Sequence, residues 1–361
     1  MKNYDKNSLT GFILMAIILI VFNFFFFPEP SPEEVKSEKI EITNLEESSR
    51  EEAKTQKVAI AKTQEEISNT YGVFSHTAKG EERNYILENE KIKISISNKG
   101  GRINSVIIKE GSSGKKFKTY DNKELEIFNS DSSNFNLNFS TGISINTNEL
   151  FFKNIESSSE GLIMRLETNT NNYIDFIYKL SDEYLVDFDI NLVGMDEVIP
   201  NELNYMNLDW QMKTPQTEKS KSNQDMYTGI HYQYLSDKEV DYLSFTKTDE
   251  EEVNSRLSWV AFKQQFFSSI LISKSGFEKP TLLKSIKNEN SDYIKDLSAK
   301  FELPFNHQRD ETLNFQFFFG PNHYKTLLSY DKQFEELVPL GWGIFGWVNK
   351  YVIINIFDFL S

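Results

Sequence analysis

The chain has no cysteine among its 361 residues. Disulfides, thiolate nucleophiles and thiolate metal ligands are therefore excluded. Histidine is nearly as scarce: His76, His231, His307 and His323 are scattered, and none sits one helical turn from another. That spacing offers no metal-binding pair, so neither a metal nor any other cofactor is expected. Positive charge is also in deficit, with 39 Lys and Arg against 54 Asp and Glu and a net charge of −15. Phosphate contacts need clustered basic residues, so a nucleic-acid partner is excluded. No fixed repeat period is visible, which argues against a propeller. Long apolar runs are confined to the two ends of the chain.

The first run is Leu9 to Phe27, "LTGFILMAIILIVFNFFFF", 19 residues without a charge. At about 1.5 Å per residue, such a helix spans roughly 28 Å, close to the hydrocarbon thickness of a bilayer. A cleaved signal peptide would have a shorter apolar stretch followed by a small-x-small site. Here four consecutive Phe lead into "PEPSPEE", which offers no such site. An uncleaved anchor is expected, with Leu9, Phe12, Ile13, Ile17, Ile20, Phe24 and Phe27 among its lipid-facing residues. Lys2 and Lys6 precede the run, while Glu29, Glu33 and Glu34 follow it. The positive-inside rule then assigns residues 1–8 to the cytoplasm and the rest to the far side.

Residues 28–83 read as an acidic flexible linker. They carry 13 acidic and 8 basic residues and few large apolar ones, so little burial could offset chain entropy. Paired charges allow a short helix near 46–60. From residue 84 to 321 the period becomes two. "KIKISIS" sets Ile92, Ile94 and Ile96 against Lys91, Lys93 and Ser95, and "NFNLNFS" alternates Phe135, Leu137 and Phe139 with asparagines. Ile174, Phe176, Tyr178 and Leu180 share a side, as do Val186, Phe188, Ile190 and Leu192, and as do Phe315, Phe317 and Phe319. Alternation of this kind marks half-buried strands with one wet face. Many such strands with hardly any helical periodicity predict a mainly β chain, one large antiparallel β-sandwich. In "WVAFKQQFF", Trp259, Phe262 and Phe266 are expected in the core rather than on a substrate platform. Residues 322–340 have helical spacing and read as a connecting helix.

The second apolar run, "LVPLGWGIFGWVNKYVIINIFDFLS", occupies Leu337 to Ser361. As a membrane span it would place Asn349 and Lys350 near its middle, and a central Lys costs about 2.5–3.5 kcal/mol. Gly341, Gly343, Gly346 and Pro339 further weaken a continuous helix. As a core strand it is too long. Residues 341–361 read best as an amphipathic helix lying in the membrane interface. Trp342, Phe345, Trp347, Tyr351, Val352, Ile356 and Phe359 are its expected membrane-contacting residues.

Three stretches carry a family resemblance: "ISISNKGGRINSVIIK" at 94–109, "LSWVAFKQQFFSSILI" at 257–272, and "FFFGPNHYKTL" followed by the C-terminal run. With the anchor and the acidic linker, they resemble the N-terminal part of a YidC-type membrane protein insertase of the YidC/Oxa/Alb family. The resemblance implies a bacterial inner-membrane protein whose main domain is periplasmic and resembles the sugar-mutarotase type of supersandwich. It implies membrane lipid and nascent membrane proteins as partners, with the Sec translocon and the ribosome engaged through a further part. It also implies that a five-helix insertase core follows, and no residue here matches that core. The chain is thus expected to be the N-terminal part of a longer protein. No covalent chemistry is implied, and no enzyme is expected. The mutarotase likeness singles out His231 or His323 with Asp209 or Glu302 as acid–base candidates, yet no spacing links them. The alternative is an anchored periplasmic β-sandwich module that binds carbohydrate or a partner protein.

Overall fold

The structure, a computed structural model, describes residues 63–111, 114, 116–288, 292–341, 348–353 and 356. The anchor at 9–27 and the short helix expected near 46–60 lie outside the described residues.

Nineteen antiparallel strands form three sheets among the described residues. The four-stranded sheet runs β1 (Asn84–Glu88), β2 (Ile92–Ser97), β3 (Ile103–Ile108) and β4 (Leu125–Phe128) in order. A six-stranded sheet has the order β14 (Asp249–Val253), β17 (Thr281–Lys287), β18 (Tyr293–Pro304), β11 (Tyr205–Pro215), β5 (Ser133–Ser140) and β6 (Ser144–Asn146). The nine-stranded sheet begins β13 (Val240–Tyr242), β12 (Gly229–Tyr234), β15 (Leu257–Lys263) and β16 (Phe267–Phe277). It continues through β19 (Asp310–Pro321), β10 (Leu185–Val193), β9 (Tyr173–Leu180), β8 (Gly161–Glu167) and β7 (Lys153–Ser157). The last strand of the chain order, β19, therefore lies at the centre of the largest sheet.

Alternation determines which face each strand buries. Along β10, Val186, Phe188, Ile190 and Leu192 are buried, while Asp187, Asp189 and Asn191 face out. Register sets those three opposite Gln316, Asn314 and Thr312 of β19, and each pair is hydrogen-bonded. The inner faces of the nine- and six-stranded sheets meet through aromatic rings. Trp210 stacks on Phe262 at 3.8 Å between centroids, Phe277 stacks on Phe301 at 4.1 Å, and Phe135 meets Phe188 edge-on at 5.4 Å. Such pairs add about 0.5–1.5 kcal/mol each beyond area burial. The four-stranded sheet joins the same core, Phe128 against Phe319.

The Gly-Gly turn between β2 and β3 shows why those residue types are there. Gly101 has φ +62°, and a Cβ on it would come within 2.7 Å of the Phe152 ring. Its carbonyl accepts a hydrogen bond from the Tyr178 hydroxyl at 2.8 Å, tying the turn to β9.

The end of the expected linker is not a flexible segment. Helix α1 (Gln64–Tyr71) starts at a capping box in which Thr63 and Glu66 satisfy each other's backbone amides. A 3₁₀ turn, Gly72–Thr77, follows and buries Phe74 completely against the edge of Phe139. Average composition hid this element because one buried Phe, one buried Ile67 and a cap hold it. Helix α2 (Lys221–Tyr227) closes one end of the sandwich near β12 and β18.

Candidate membrane-proximal site

Strand β15 and residues 267–273 of β16 are buried on both faces, and the C-terminal segment contributes to their outer cover. After β19 the chain forms helix α3 (Tyr324–Leu328) and a 3₁₀ turn, Phe334–Leu337. Phe318 sits on the face of β19 opposite Phe317 and Phe319. It is fully buried by Tyr330 at 5.3 Å, Phe334 at 5.5 Å and Tyr184 at 6.1 Å. Trp259 on β15 meets Phe334 edge-on at 5.6 Å, and its indole N–H donates to the Lys332 carbonyl at 3.0 Å. The Gln233 side-chain amide donates to Gln333. Residues 324–338 thus form a strap glued to the outer face of the nine-stranded sheet.

Beyond the strap a π-type turn covers Asn349–Ile353. The Asn349 side chain donates to the Leu340 carbonyl at 2.8 Å. The Lys350 ammonium lies 5.8 Å from the Tyr324 ring and 5.9 Å from the Tyr351 ring. Contact with Tyr324 holds that ammonium above the ordinary lysine range. Next to it, Tyr351, Val352, Ile353 and Ile356 are 56, 40, 38 and 50 % exposed. An apolar run left in water at the end of a strap is chemically suited to a lipid interface. Of the expected membrane-contacting residues, Tyr351, Val352 and Ile356 are therefore exposed together. Trp342, Phe345, Trp347 and Phe359 lie outside the described residues, as do Leu9, Phe12, Ile13, Ile17, Ile20, Phe24 and Phe27.

Among the three aromatics expected in the core, Trp259 and Phe262 are buried, but Phe266 is not. It is half exposed, because it occupies the tip of the β15–β16 turn rather than a strand position.

The acid–base candidates do not converge. Asp209 and Glu302 lie on the six-stranded sheet, opposite Lys300 and Asn207. His231 lies on the nine-stranded sheet between the rings of Tyr242 at 5.5 Å and Phe245 at 5.3 Å. Burial, with Lys263 nearby, pushes its pKa down to about 3. His323 contacts the Thr326 hydroxyl at 2.8 Å at the start of α3. Among the described residues no group of three or more His, Asp or Glu could hold a metal ion, and no helix is long and apolar enough to cross a membrane.

One cluster escaped the sequence reading. Lys295 is wholly buried and donates to the carbonyls of Asp225, Thr228 and Phe245 at 3.0, 2.7 and 2.7 Å, with the Asp225 carboxylate 3.3 Å away. Lys263, also buried, donates to the Tyr227 carbonyl at 2.8 Å, and burial lowers its pKa to about 8. The available signal was register: Lys295 falls two positions before Leu297 and four before Ala299, both buried on β18.

Fold and strap together define a class, an antiparallel β-sandwich domain closed on its outer face by a C-terminal strap. The chain belongs to the YidC periplasmic domain family, which matches residues 85–354. It is 35 % identical over 369 residues to the membrane protein insertase YidC of Bacteroides fragilis, covering 99 % of this chain and 58 % of that protein. The Parabacteroides distasonis insertase is 34 % identical, with coverage of 99 % and 59 %. The chain thus spans less than two thirds of the length of these relatives. Among solved structures, a galactose mutarotase-like protein from Lactobacillus casei matches 66 % of this chain and 100 % of its own, at a TM-score of 0.41 and 8 % identity. A galactose mutarotase related enzyme from Lactobacillus acidophilus gives a TM-score of 0.39 at 11 % identity, covering 66 % of this chain and 97 % of its own. Likenesses so distant carry no functional argument.

Proposed function

We propose that the chain is the anchored, periplasm-facing part of an inner-membrane insertase and chaperone, which helps membrane proteins insert and fold, alone or with the Sec translocon. The observation that carries this is similarity to named insertases over 99 % of the chain. In this reading residues 9–27 anchor the chain with Lys2 and Lys6 in the cytoplasm. Residues 84–321 form the periplasmic sandwich, and 322–340 connect it to an interfacial helix at 341–361. Membrane lipid meets Tyr351, Val352 and Ile356 directly, together with Trp342, Phe345, Trp347 and Phe359. Nascent membrane proteins, the ribosome and the Sec translocon engage the protein as a whole. No covalent step is assigned to any side chain. The alternative, a carbohydrate- or protein-binding module, would need sugar-contacting groups gathered in one cleft, and neither His231, on the nine-stranded sheet, nor His323, at the start of α3, shares the sheet that carries Asp209 and Glu302.

A chimera tests the proposal. The corresponding part of the Bacteroides fragilis relative is exchanged for residues 1–361, and the product is assayed in cells depleted of that relative. Restored insertion of a test membrane protein is expected. A stable, membrane-located chimera that leaves insertion at the depleted level would overturn the reading.

A further inference from the structure

The half-exposed ring of Phe266 has no role in the core, yet the turn that presents it is held from several sides. The Gln264 backbone amide donates to the Phe267 carbonyl at 2.8 Å, closing the turn. The buried Gln264 side chain donates to the Ile127 carbonyl at 3.0 Å, fixing it to β4. Asn322 clamps it from the strap side: its backbone amide donates to the Phe266 carbonyl at 2.7 Å and its side chain to the Gln264 carbonyl at 2.9 Å. The Ser268 hydroxyl donates back to Asn322 at 2.6 Å. Two residues further on, Tyr324 lies beneath the Lys350 ammonium, which adjoins the exposed run of Tyr351, Val352 and Ile353. Leu328, in the same helix as Tyr324, is 45 % exposed. The Phe266 turn and the apolar turn are therefore joined by one short, hydrogen-bonded stretch of chain.

We propose that Phe266 is a lipid-contact point of the folded body, its ring seated at the headgroup level of the same bilayer face that receives Tyr351, Val352 and Ile356. This rests on the interfacial reading of residues 341–361. The occupant is a bilayer rather than a protein for a geometric reason. A single half-exposed aromatic at a hairpin turn falls short of the packed, water-excluding cluster that makes a protein–protein hot spot. A fluid interface accepts such a ring without a matching pocket, and aromatic residues are enriched at headgroup depth. The neighbouring segment continues in sequence with Trp342, Phe345 and Trp347, residues of the same interfacial kind. Because the turn is already ordered, little conformational freedom is lost on contact.

The absence of cysteine makes the test direct. Phe266→Cys and Tyr351→Cys variants of the full chain each carry one thiol for an environment-sensitive fluorophore. Both are reconstituted in phosphatidylethanolamine–phosphatidylglycerol vesicles, with near-UV circular dichroism confirming the fold. Quenching by brominated phospholipid and by aqueous iodide is then compared. Lipid quenching with iodide protection at both positions is expected. Lipid quenching at 351 but iodide quenching at 266 would overturn this proposal and leave the interfacial reading intact, freeing the ring for a protein partner. Iodide quenching at both positions would sink the interfacial reading and this proposal with it.

Discussion

Lys295 keeps a charged side chain at zero exposure because three carbonyls and one carboxylate replace its water. His231, packed against the same Phe245 that supplies one of those carbonyls, has no such compensation: its Nδ1 has no hydrogen-bond partner. Desolvation, then the Lys263 charge, explains its depressed pKa of about 3. The unfolded chain protonates His231 near the ordinary value of about 6.5, whereas the folded chain does not until about 3. Proton uptake by the unfolded state alone means stability is lost as pH falls through that window, with a limiting slope of about 1.4 kcal/mol per pH unit. A His231→Gln variant should show a flatter fall in thermal midpoint between pH 6.5 and pH 4 than the parent. Equal slopes would contradict the assignment. Neither lysine nor this histidine could be placed from composition. A polar residue on an inward register reads as an irregular strand until its carbonyl partners, on elements far apart in sequence, are known.

At the scale of elements, legibility followed solvent. Strands β2, β5, β9 and β10 were readable because apolar and polar residues alternate along them, and β19 keeps that alternation only as far as Phe317, beyond which the strap covers its outer face at Phe318. Along β15 every residue is buried, so alternation disappears; Phe262 points to the inner core and Trp259 to the strap. The strap's contribution can be measured. Phe334 is fully buried between Phe318 and Trp259, and Phe334→Ala should cost about 3–5 kcal/mol of strap attachment. Limited proteolysis should then cut within 329–341 while the strands stay protected. Resistance equal to the parent's would show that the strap is held by something else. At the other end, Thr63→Ala removes the N-cap of α1 and should weaken that helix by about 1 kcal/mol. Faster amide exchange confined to residues 64–71 is the expected signature; exchange unchanged there would rule out the capping role. Of the segment read as an interfacial helix at 341–361, the described residues form a π-type turn at Asn349–Ile353, with Tyr351, Val352 and Ile356 exposed. Phe266 was misplaced because sequence spacing does not distinguish the tip of a hairpin from the strands on either side.

For the whole molecule, the antiparallel sandwich was foreseeable in kind; the order of strands was not, nor was the strap, since residues 322–340 read as a connecting helix and instead hold a short helix and a 3₁₀ turn packed on the sheet. Pairing of β19 with β10 joins residues more than a hundred positions apart, as Val193 with Asp310, and its pairing with β16 joins Phe267 to Pro321 and Ser273 to Phe315, neither of which a local pattern encodes. The proposed orientation, with the N-terminus inside, is argued from Lys2 and Lys6. A phosphatase reporter fused after residue 330 should be active on the periplasmic side, and a cytoplasmic reporter fused there should be silent. The reverse pattern would refute the inside position of the N-terminus.

Placing the final strand at the middle of the nine-stranded sheet also has a consequence for biogenesis. The halves led by β16 and β10 are joined only by β19, so neither can complete its hydrogen bonding until Pro321 has been synthesised and delivered. Contacts of such long sequence separation fold slowly. The domain must wait, with two open strand edges, through the synthesis of nearly its whole length, and it closes just before the strap and its apolar turn arrive. Completion of the sandwich and emergence of the exposed apolar turn that follows it are thereby consecutive events in the life of one nascent chain.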